Sequence, residues 1–447
     1  MRGGRFGAGI GPLQSAGQDS SKGEVTMQVE SRLDRIVQRT GVGQALEGRL
    51  ERLVARVRGS QPVPMRLRLW TGRSYELGPN PTVTMTLPRP SALRYVLSPD
   101  LMKLGEAYVE GHIEVDGALR DIFEVGELFA RTAAKPSRFR GLKLVVNHTK
   151  TRDRKAIQYH YDVSNDFYRL FLDDNMVYSC AYFKRADDSL AKAQEQKLDH
   201  ILAKLQLQPG ERLLDIGCGW GALAIRAAKK YGARAVGVTL SENQFALASE
   251  RVKQEGLEGQ VEIRLQDYRD VPEEGGYDKI ASVGMFEHVG LRNLEMYFGR
   301  IRALLKDGGV ALNHGITSVD PDSRGVGLGA GEFIEKYVFP HGELPHISLV
   351  LQKMQAAGLD PVDAESLRQH YALTTELWAA NLERNKDEAI RLAGDKRYRI
   401  WSVYLQGCAF GFREGWMTIY QVLAAKQGRK WMNPLPLTRD YMYGGRS

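Results

Sequence analysis

Residues 213–221 read Leu-Leu-Asp-Ile-Gly-Cys-Gly-Trp-Gly, an apolar run that ends in a loop with glycine at alternate positions. Glycine lets a backbone approach a ligand with no Cβ in the way. A loop of this kind at the carboxyl end of a strand is where open α/β sheets take their ligands. It lacks the lysine of a phosphate-binding P-loop, and its spacing is not the dinucleotide pattern G-x-G-x-x-G. Three further side chains are of types that position protons. They are Glu287 in Gly284-Met285-Phe286-Glu287-His288-Val289-Gly290, His314 in Asn313-His314-Gly315-Ile316, and Tyr337 in Glu335-Lys336-Tyr337-Val338-Phe339-Pro340. Taken singly, each has an ordinary explanation: a helix-start acid, a satisfied core histidine and a packing tyrosine. Proton transfer depends on distance first and pKa second.

The form Asp215-x-Gly217-x-Gly219-x-Gly221 is similar to the S-adenosylmethionine loop of class I methyltransferases. On that likeness Gly217, Gly219 and Gly221, with Cys218 between them, bring backbone amides to the amino-acid end of the cofactor. Asp215 orients the loop or the amino group. Such enzymes often carry an acid after the second strand for the ribose hydroxyls. Here that segment reads Gly237-Val238-Thr239-Leu240-Ser241-Glu242-Asn243-Gln244, with Thr239 where the acid is expected. Thr239 and Gln244 hydrogen-bond hydroxyls more weakly than a carboxylate does; Leu240 and Ser241 complete the segment. Gln266-Asp267-Tyr268, after the third strand, is placed for adenine, with Asp267 accepting from the exocyclic amine and Tyr268 stacking. Asp267 as a turn residue is the alternative.

Longer motifs resemble the cyclopropane-fatty-acyl-phospholipid synthases and their mycolic acid cyclopropane synthase relatives. They are Tyr178-Ser179-Cys180-Ala181-Tyr182-Phe183, Thr239-Leu240-Ser241-x-Asn243-Gln244, residues 284–290, Tyr159-His160-Tyr161-Asp162-Val163-Ser164-Asn165-Asp166-Phe167-Tyr168 and Phe412-Arg413-Glu414. The resemblance runs from about His160 to Leu423. Leu104-Gly105-Glu106-Ala107-Tyr108 extends it to the family's N-terminal lipid-binding domain. It implies transfer of a methylene unit from S-adenosylmethionine to the cis double bond of an unsaturated phospholipid acyl chain. Tyr178 and Ser179 join the cofactor set. The resemblance also implies a bound bicarbonate as base, held by the backbone of Cys180 and Ile316 and by Glu287, His314 and Tyr337.

The chemistry gives these residues a purpose. An alkene attacks the electrophilic methyl, a carbocation forms, and a base removes a proton from the new methyl to close the ring. A lysine or free carboxylate in the base's place is open to alkylation. Aromatic faces such as Tyr178, Phe183, Phe286 and Phe339 stabilise the cation by ~0.5–2 kcal/mol each. Loss of a different proton from the same cation gives a methyl-branched or methylene fatty acid instead. Cys408 aligns with a cysteine considered for the family's active site; a thiolate needs a nearby cation or helix N-terminus, and Cys408 stands among apolar residues of an expected helix. His160 and His288 are either supporting or core residues.

Positioning these groups requires an α/β fold. Strands expected at 212–216, 233–239, 261–265, 278–283 and 310–316 alternate with helical patterns such as 243–255 and 293–305. The alternation implies parallel strands with covering helices, a class I methyltransferase, Rossmann-like sheet. Residues 320–345 interrupt the pattern with Gly and Pro, and helices are expected over 347–357, 373–392 and 400–423. Before them, 65–70 and 83–87 alternate as half-buried strands do, and 98–109 and 118–129 are helical. This gives a smaller α+β domain at 27–132, after a disordered stretch at 1–26. A basic linker at 133–155, a catalytic domain at 156–430 and a tail at 431–447 complete the chain.

A chain of 447 residues is long enough for two domains at ~150 residues each. The formal net charge of +8 and pI near 9.2 favour anionic partners. Between Arg131 and Lys155 nine Lys or Arg residues face one acid, Asp153. Either this is a solvated face or it meets anionic headgroups, at ~1 kcal/mol per basic residue. Nucleic acid is not expected as a partner, because Gly284-Met285-Phe286-Glu287 stands where a base-pocket motif such as Asn-Pro-Pro-Tyr belongs. Cys180, Cys218 and Cys408 are too few and too dispersed for a disulfide framework or a zinc site. No run of ~18 apolar residues spans a bilayer, and residues 1–22 lack the apolar core of a signal peptide. The expected location is the cytoplasm, with peripheral visits to the inner face of the membrane. A homodimer is implied by the family alone. An acyl chain also needs an apolar tunnel, for which 326–339 and the helices after 347 are candidates.

Overall fold

The structure, a computed structural model, describes residues 42–133, 164–323, 330–339, 342–427 and 435–443. The expectations for 1–26, for the body of the basic linker and for His160 lie outside them. So do residues 428–434 and 444–447 of the region assigned to the catalytic end and tail.

The N-terminal unit is built on a small sheet of Met65–Leu69 (β1), Ser74–Glu76 (β2), Val83–Leu87 (β3) and Glu114–Asp116 (β4). Its order is β2-β1-β3-β4, with β1 and β3 parallel and the outer pairs antiparallel. Both central strands bury alternate side chains, as the period-two pattern predicts. Helices Val42–Ser60 (α1), Leu93–Leu97 (α2), Leu101–Val109 (α3) and Leu119–Ala133 (α4) surround it. Leu53, Val57, Val125 and Phe129 join Leu67 and Met85 in one core. Helix α3 begins later than position 98 because Asp100 caps it, accepting from Lys103 N at 2.8 Å.

The larger unit opens with Asn165–Arg169 (α5) and Leu190–Lys204 (α6). Arg212–Ile216 (β5), Ala222–Tyr231 (α7), Arg234–Thr239 (β6), Glu242–Gln254 (α8) and Val261–Leu265 (β7) form its first half. Tyr277–Val283 (β8), Leu294–Leu304 (α9), Leu305–Ser318 (β9), Ala330–Tyr337 (α10), Ile347–Ala356 (α11) and Leu359–Ser366 (β10) follow. Arg368–Arg384 (α12), Lys386–Ala393 (α13), Asp395–Arg413 (α14), Met417–Lys426 (β11) and Asp440–Tyr443 (α15) complete it. Seven strands pair in the order β10-β11-β9-β8-β5-β6-β7. All run parallel except β11, which is antiparallel to both β9 and β10. From β5 the chain moves outward through β6 and β7; from β8 it moves the other way. The carboxyl ends of β5 and β8 therefore flank a topological switch point, where such sheets bind ligands.

Two expectations fail in the last third of the chain. The helix predicted over 400–423 stops at Arg413, and Gly415 at φ 72° turns the chain into β11. Strand β11 is a central strand, buried on both faces, so its apolar residues do not alternate and read as a continued helix. Its outer neighbour β10 was not expected at all. The helix predicted over 373–392 breaks at Asn385, whose Nδ2 donates to Leu170 O at 2.8 Å and Asn381 O at 3.1 Å.

Candidate functional site

At the switch point β5 runs into Gly217, Gly219 and Gly221, all in left-handed conformations (φ 77°, 55° and 80°), before α7 begins at Ala222. The amides of Gly217 and Cys218 both donate to Val238 O at 3.0 Å, which ties the loop to β6. Gly237 in that strand is needed for the fit, since a Cβ there meets Cys218 Sγ at 2.9 Å.

The loop floors a cavity of about 130 Å³. Tyr178, Ser179, Asp215, Gly217, Cys218, Gly219, Thr239, Leu240, Gln244, Gln266, Asp267 and Tyr268 all line it. Gly221 and Ser241, also expected in the cofactor set, do not. Gly221 starts α7, and Ser241 caps α8 by accepting from Gln244 N at 3.3 Å. Thr239 Oγ1 donates to Gln244 Oε1 at 2.8 Å, so the residue in place of the usual acid holds the Gln244 amide by its oxygen. Asp267 is engaged on both oxygens by Arg269, at 2.9 and 2.7 Å, and also accepts from Arg269 N. Asp267 therefore has the turn role, capping the single helical turn at Tyr268–Asp270, and also lines the cavity.

Sequence reading missed Lys197, which looks like a solvated residue on a helix. It lies fully within the wall of the cavity, with Nζ donating to Ser179 Oγ at 2.8 Å. Burial lowers its pKa to about 8. Burial also raises Asp215 to about 7, with Lys197 opposing that rise. The cofactor cavity thus holds one buried acid and one buried base, each shifted by burial toward its neutral form.

Beyond β8, Phe286–His288 makes a single helical turn over Gly315 of β9. A Cβ at Gly315 meets Phe286 Cε1 at 1.9 Å, so only glycine admits this turn. Glu287 Oε1 accepts from Ile316 N at 2.8 Å. Its Oε2 is buried with no hydrogen-bond partner among the described residues, and burial pushes the carboxyl up to about 7. The next residue, His288, lines the cofactor cavity and packs 5.4 Å from the Phe339 ring. The acid therefore stands immediately beside the cofactor cavity.

The five residues implied as bicarbonate ligands are only partly brought together. The Ile316 amide is taken by Glu287. Strand alternation sends the His314 side chain to the face opposite Gly315. There Gln421 Nε2 donates to His314 Nδ1 at 3.2 Å, and burial with Lys197 and Lys204 nearby holds the imidazole neutral. The Tyr337 hydroxyl donates to Glu110 of the N-terminal unit at 3.4 Å. His314 Nε2 is buried with no hydrogen-bond partner among the described residues. Cys180 is buried in an aromatic cluster with Ile316, Trp378, Tyr404 and Cys408. Tyr371, not singled out from sequence, belongs to this cluster, its ring 4.6 Å from Phe412 and 5.9 Å from Trp378. Tyr178 packs 5.2 Å from Trp378 and also lines the cofactor cavity. Phe183 belongs to the same cluster, its ring 6.4 Å from His370. Burial pushes the Cys408 thiol up to about 12, away from the thiolate form that a nucleophile needs.

Among the described residues no cluster of His, Cys, Asp or Glu is arranged to hold a metal ion, and no helix is long and apolar enough to cross a membrane. A family profile described as mycolic acid cyclopropane synthetase matches residues 148–422. A domain of unknown function, DUF7884, matches residues 53–132. A probable fatty acid methyltransferase of Pseudomonas putida is 47% identical over 386 residues, 85% of this chain and 96% of its own. The solved cyclopropane synthase MmaA2 from Mycobacterium tuberculosis superimposes with a TM-score of 0.59 at 38% identity, covering 61% of this chain and 98% of that one. Mycolic acid cyclopropane synthase CmaA1, solved in complex with SAH and CTAB, gives 0.58 at 40% identity, covering 61% and 98%.

Proposed function

The chain belongs to the mycolic acid cyclopropane synthetase family, and from that premise we propose that it closes cyclopropane rings on unsaturated phospholipid acyl chains. S-adenosylmethionine supplies the electrophilic methyl group. The observation that carries this reading is Glu287, a buried carboxyl beside the cofactor cavity with one oxygen fixed by Ile316 N and the other unpartnered. A group so placed is able to orient a proton at a hydrophobic centre, which ring closure needs and simple methylation of a nucleophile does not. The aromatic cluster of Tyr178, Trp378 and Tyr404 reaches the cofactor cavity through Tyr178 and offers π-surfaces suited to a carbocation.

We propose bicarbonate as the base, held on one side of this site. Glu287 Oε2 would hold it; the Ile316 amide and the Tyr337 hydroxyl are engaged by Glu287 and Glu110, whereas His314 is bonded only at Nδ1, its buried Nε2 having no partner among the described residues. When bound, such an ion supplies the acceptor for the proton lost on ring closure. Exclusion of water is the task of the buried aromatic cluster.

The name of the Pseudomonas relative favours a second reading, in which the cation loses a different proton and a methyl-branched or methylene fatty acid results. We also propose peripheral docking on anionic membranes through the basic residues between Arg131 and Lys155.

Glu287→Gln tests the first reading. It should lower ring formation by about a hundredfold or more while calorimetry shows unchanged S-adenosylmethionine binding. Normal turnover in that variant contradicts the assigned role.

A further inference from the structure

We propose that the methyl end of the acyl chain runs along α14 into an apolar cavity between the two domains, and that this cavity sets the chain length accepted. The inference rests on the acyl-chain reading above.

The route starts at the catalytic centre. His288 lines the cofactor cavity and lies 5.4 Å from Phe339, whose ring is 5.8 Å from Tyr404. Tyr404, Phe333 and Met417 wall a small cavity of about 50 Å³. That cavity shares Leu101, Phe123 and Val403 with a larger one of about 260 Å³. Helix α14 forms a wall of both. It offers Gly411 and Gly407 to the inner cavity and Gln406, Ser402 and Tyr398 to the outer. Residues 398–411 of a helix span about 20 Å at 1.5 Å per residue, so the two cavities form an elongated slot.

The slot suits hydrocarbon. Met85, Leu104 and Ile122 of the N-terminal unit face it, and the polar groups that α14 presents are already hydrogen-bonded, within α14 or to α12. Gln406 Nε2 donates to Ser402 Oγ at 2.8 Å, and the Tyr398 hydroxyl donates to Glu383. The charged residues of the lining are Asp116, Glu383 and Lys386, whose two acids outnumber the one base, and a phosphate headgroup entering here meets this net negative charge and loses its hydration, a cost of several kcal/mol for a charged group. The methyl end is therefore the end that enters. Glycine at 407 and 105 keeps the slot narrow, because a Cβ there meets Phe123 Cε1 at 3.2 Å and Phe333 Cδ2 at 3.0 Å. The N-terminal domain supplies α3 and α4 as the far wall, which gives it a part in substrate choice.

Gly126 of α4 lines the outer cavity, has an ordinary backbone conformation, and has open space where its Cβ would be. Gly126→Leu should improve the helix and fill the cavity. The test uses the full chain on vesicles of equimolar palmitoleoyl and oleoyl phosphatidylglycerol. These acyl chains place the double bond alike and differ only by two methylenes at the methyl end. The variant should lower the ratio of modified oleoyl to modified palmitoleoyl chains by about tenfold or more, with palmitoleoyl turnover retained. Val403→Phe, at the junction of the cavities, should move the ratio in the same direction, and it serves if Gly126→Leu misfolds by circular dichroism. An unchanged ratio in folded variants overturns the slot and leaves the function standing. No lipid modification by the parent chain overturns the function itself, and the slot with it.

Discussion

Glu287 binds its proton more tightly in the folded chain than in the unfolded one, with a pKa raised from 4.5 to about 7 by burial. A carboxyl of that kind favours folding at low pH. Its contribution is lost as pH rises through the interval between those values, and above it the buried charge is a standing cost. Glu287→Gln keeps an acceptor for Ile316 N and removes the charge. We expect it to be more stable than the parent by about 2–3 kcal/mol near pH 8, with the gain vanishing toward about pH 4.5; urea midpoints at both pH values check this. The glycine loop and Glu287 were legible because their chemistry depends on residue type and local spacing. The directions of the His314 and Tyr337 side chains were not legible, because a motif carries no record of side-chain direction. One position along β9 separates the face of Glu287 from the face of His314. Lys197 was invisible for the converse reason: a lysine on a helix looks solvated until the helix is packed.

At the scale of elements, β9 carries the site on one face and a buried ionic cluster on the other. Lys204 of α6, fully buried, pairs with Glu365 at 2.6 Å and Asp363 at 3.1 Å on β10, and His200 adds a contact to Glu365 at 2.8 Å. Lys204→Met leaves these acids without their buried partner and should cost about 3–5 kcal/mol by urea denaturation. Gly315→Ala acts on the other face. Its methyl displaces Phe286, so we expect about 1–3 kcal/mol of destabilisation from overpacking. Turnover should fall more than cofactor affinity, as parallel calorimetry and lipid assays would show. The five parallel strands with period-matched helices between them were readable from sequence. Strand β11 was not, because a strand buried on both faces loses the alternation that marks a strand, and its pairing partner lies about a hundred residues away in β9; the edge strand β10 was missed with it, its residues Asp360, Pro361, Asp363 and Glu365 being of types that strands disfavour.

Across the whole molecule the N-terminal unit is joined to the catalytic unit by charged pairs. Lys396 meets Glu110 at 2.8 Å, Arg399 meets Glu114 at 3.0 Å, and Arg413 meets Glu124 at 3.0 Å. Such partly exposed pairs contribute little individually, so they fix register more than they add stability. The basic stretch between the units supplies the larger long-range field. Reversing Arg138 and Arg140 to Glu should weaken sedimentation with anionic vesicles by about tenfold or more at low salt; unchanged sedimentation removes that stretch from membrane docking. The central claim is the chemistry itself, and one measurement reaches it directly. The purified chain is given S-adenosylmethionine isotopically labelled in its methyl group, with oleoyl phosphatidylglycerol vesicles, and the extracted lipid is examined by NMR. The account predicts label in the bridging methylene of a cyclopropane ring; label in a methyl branch, or none in lipid, contradicts it.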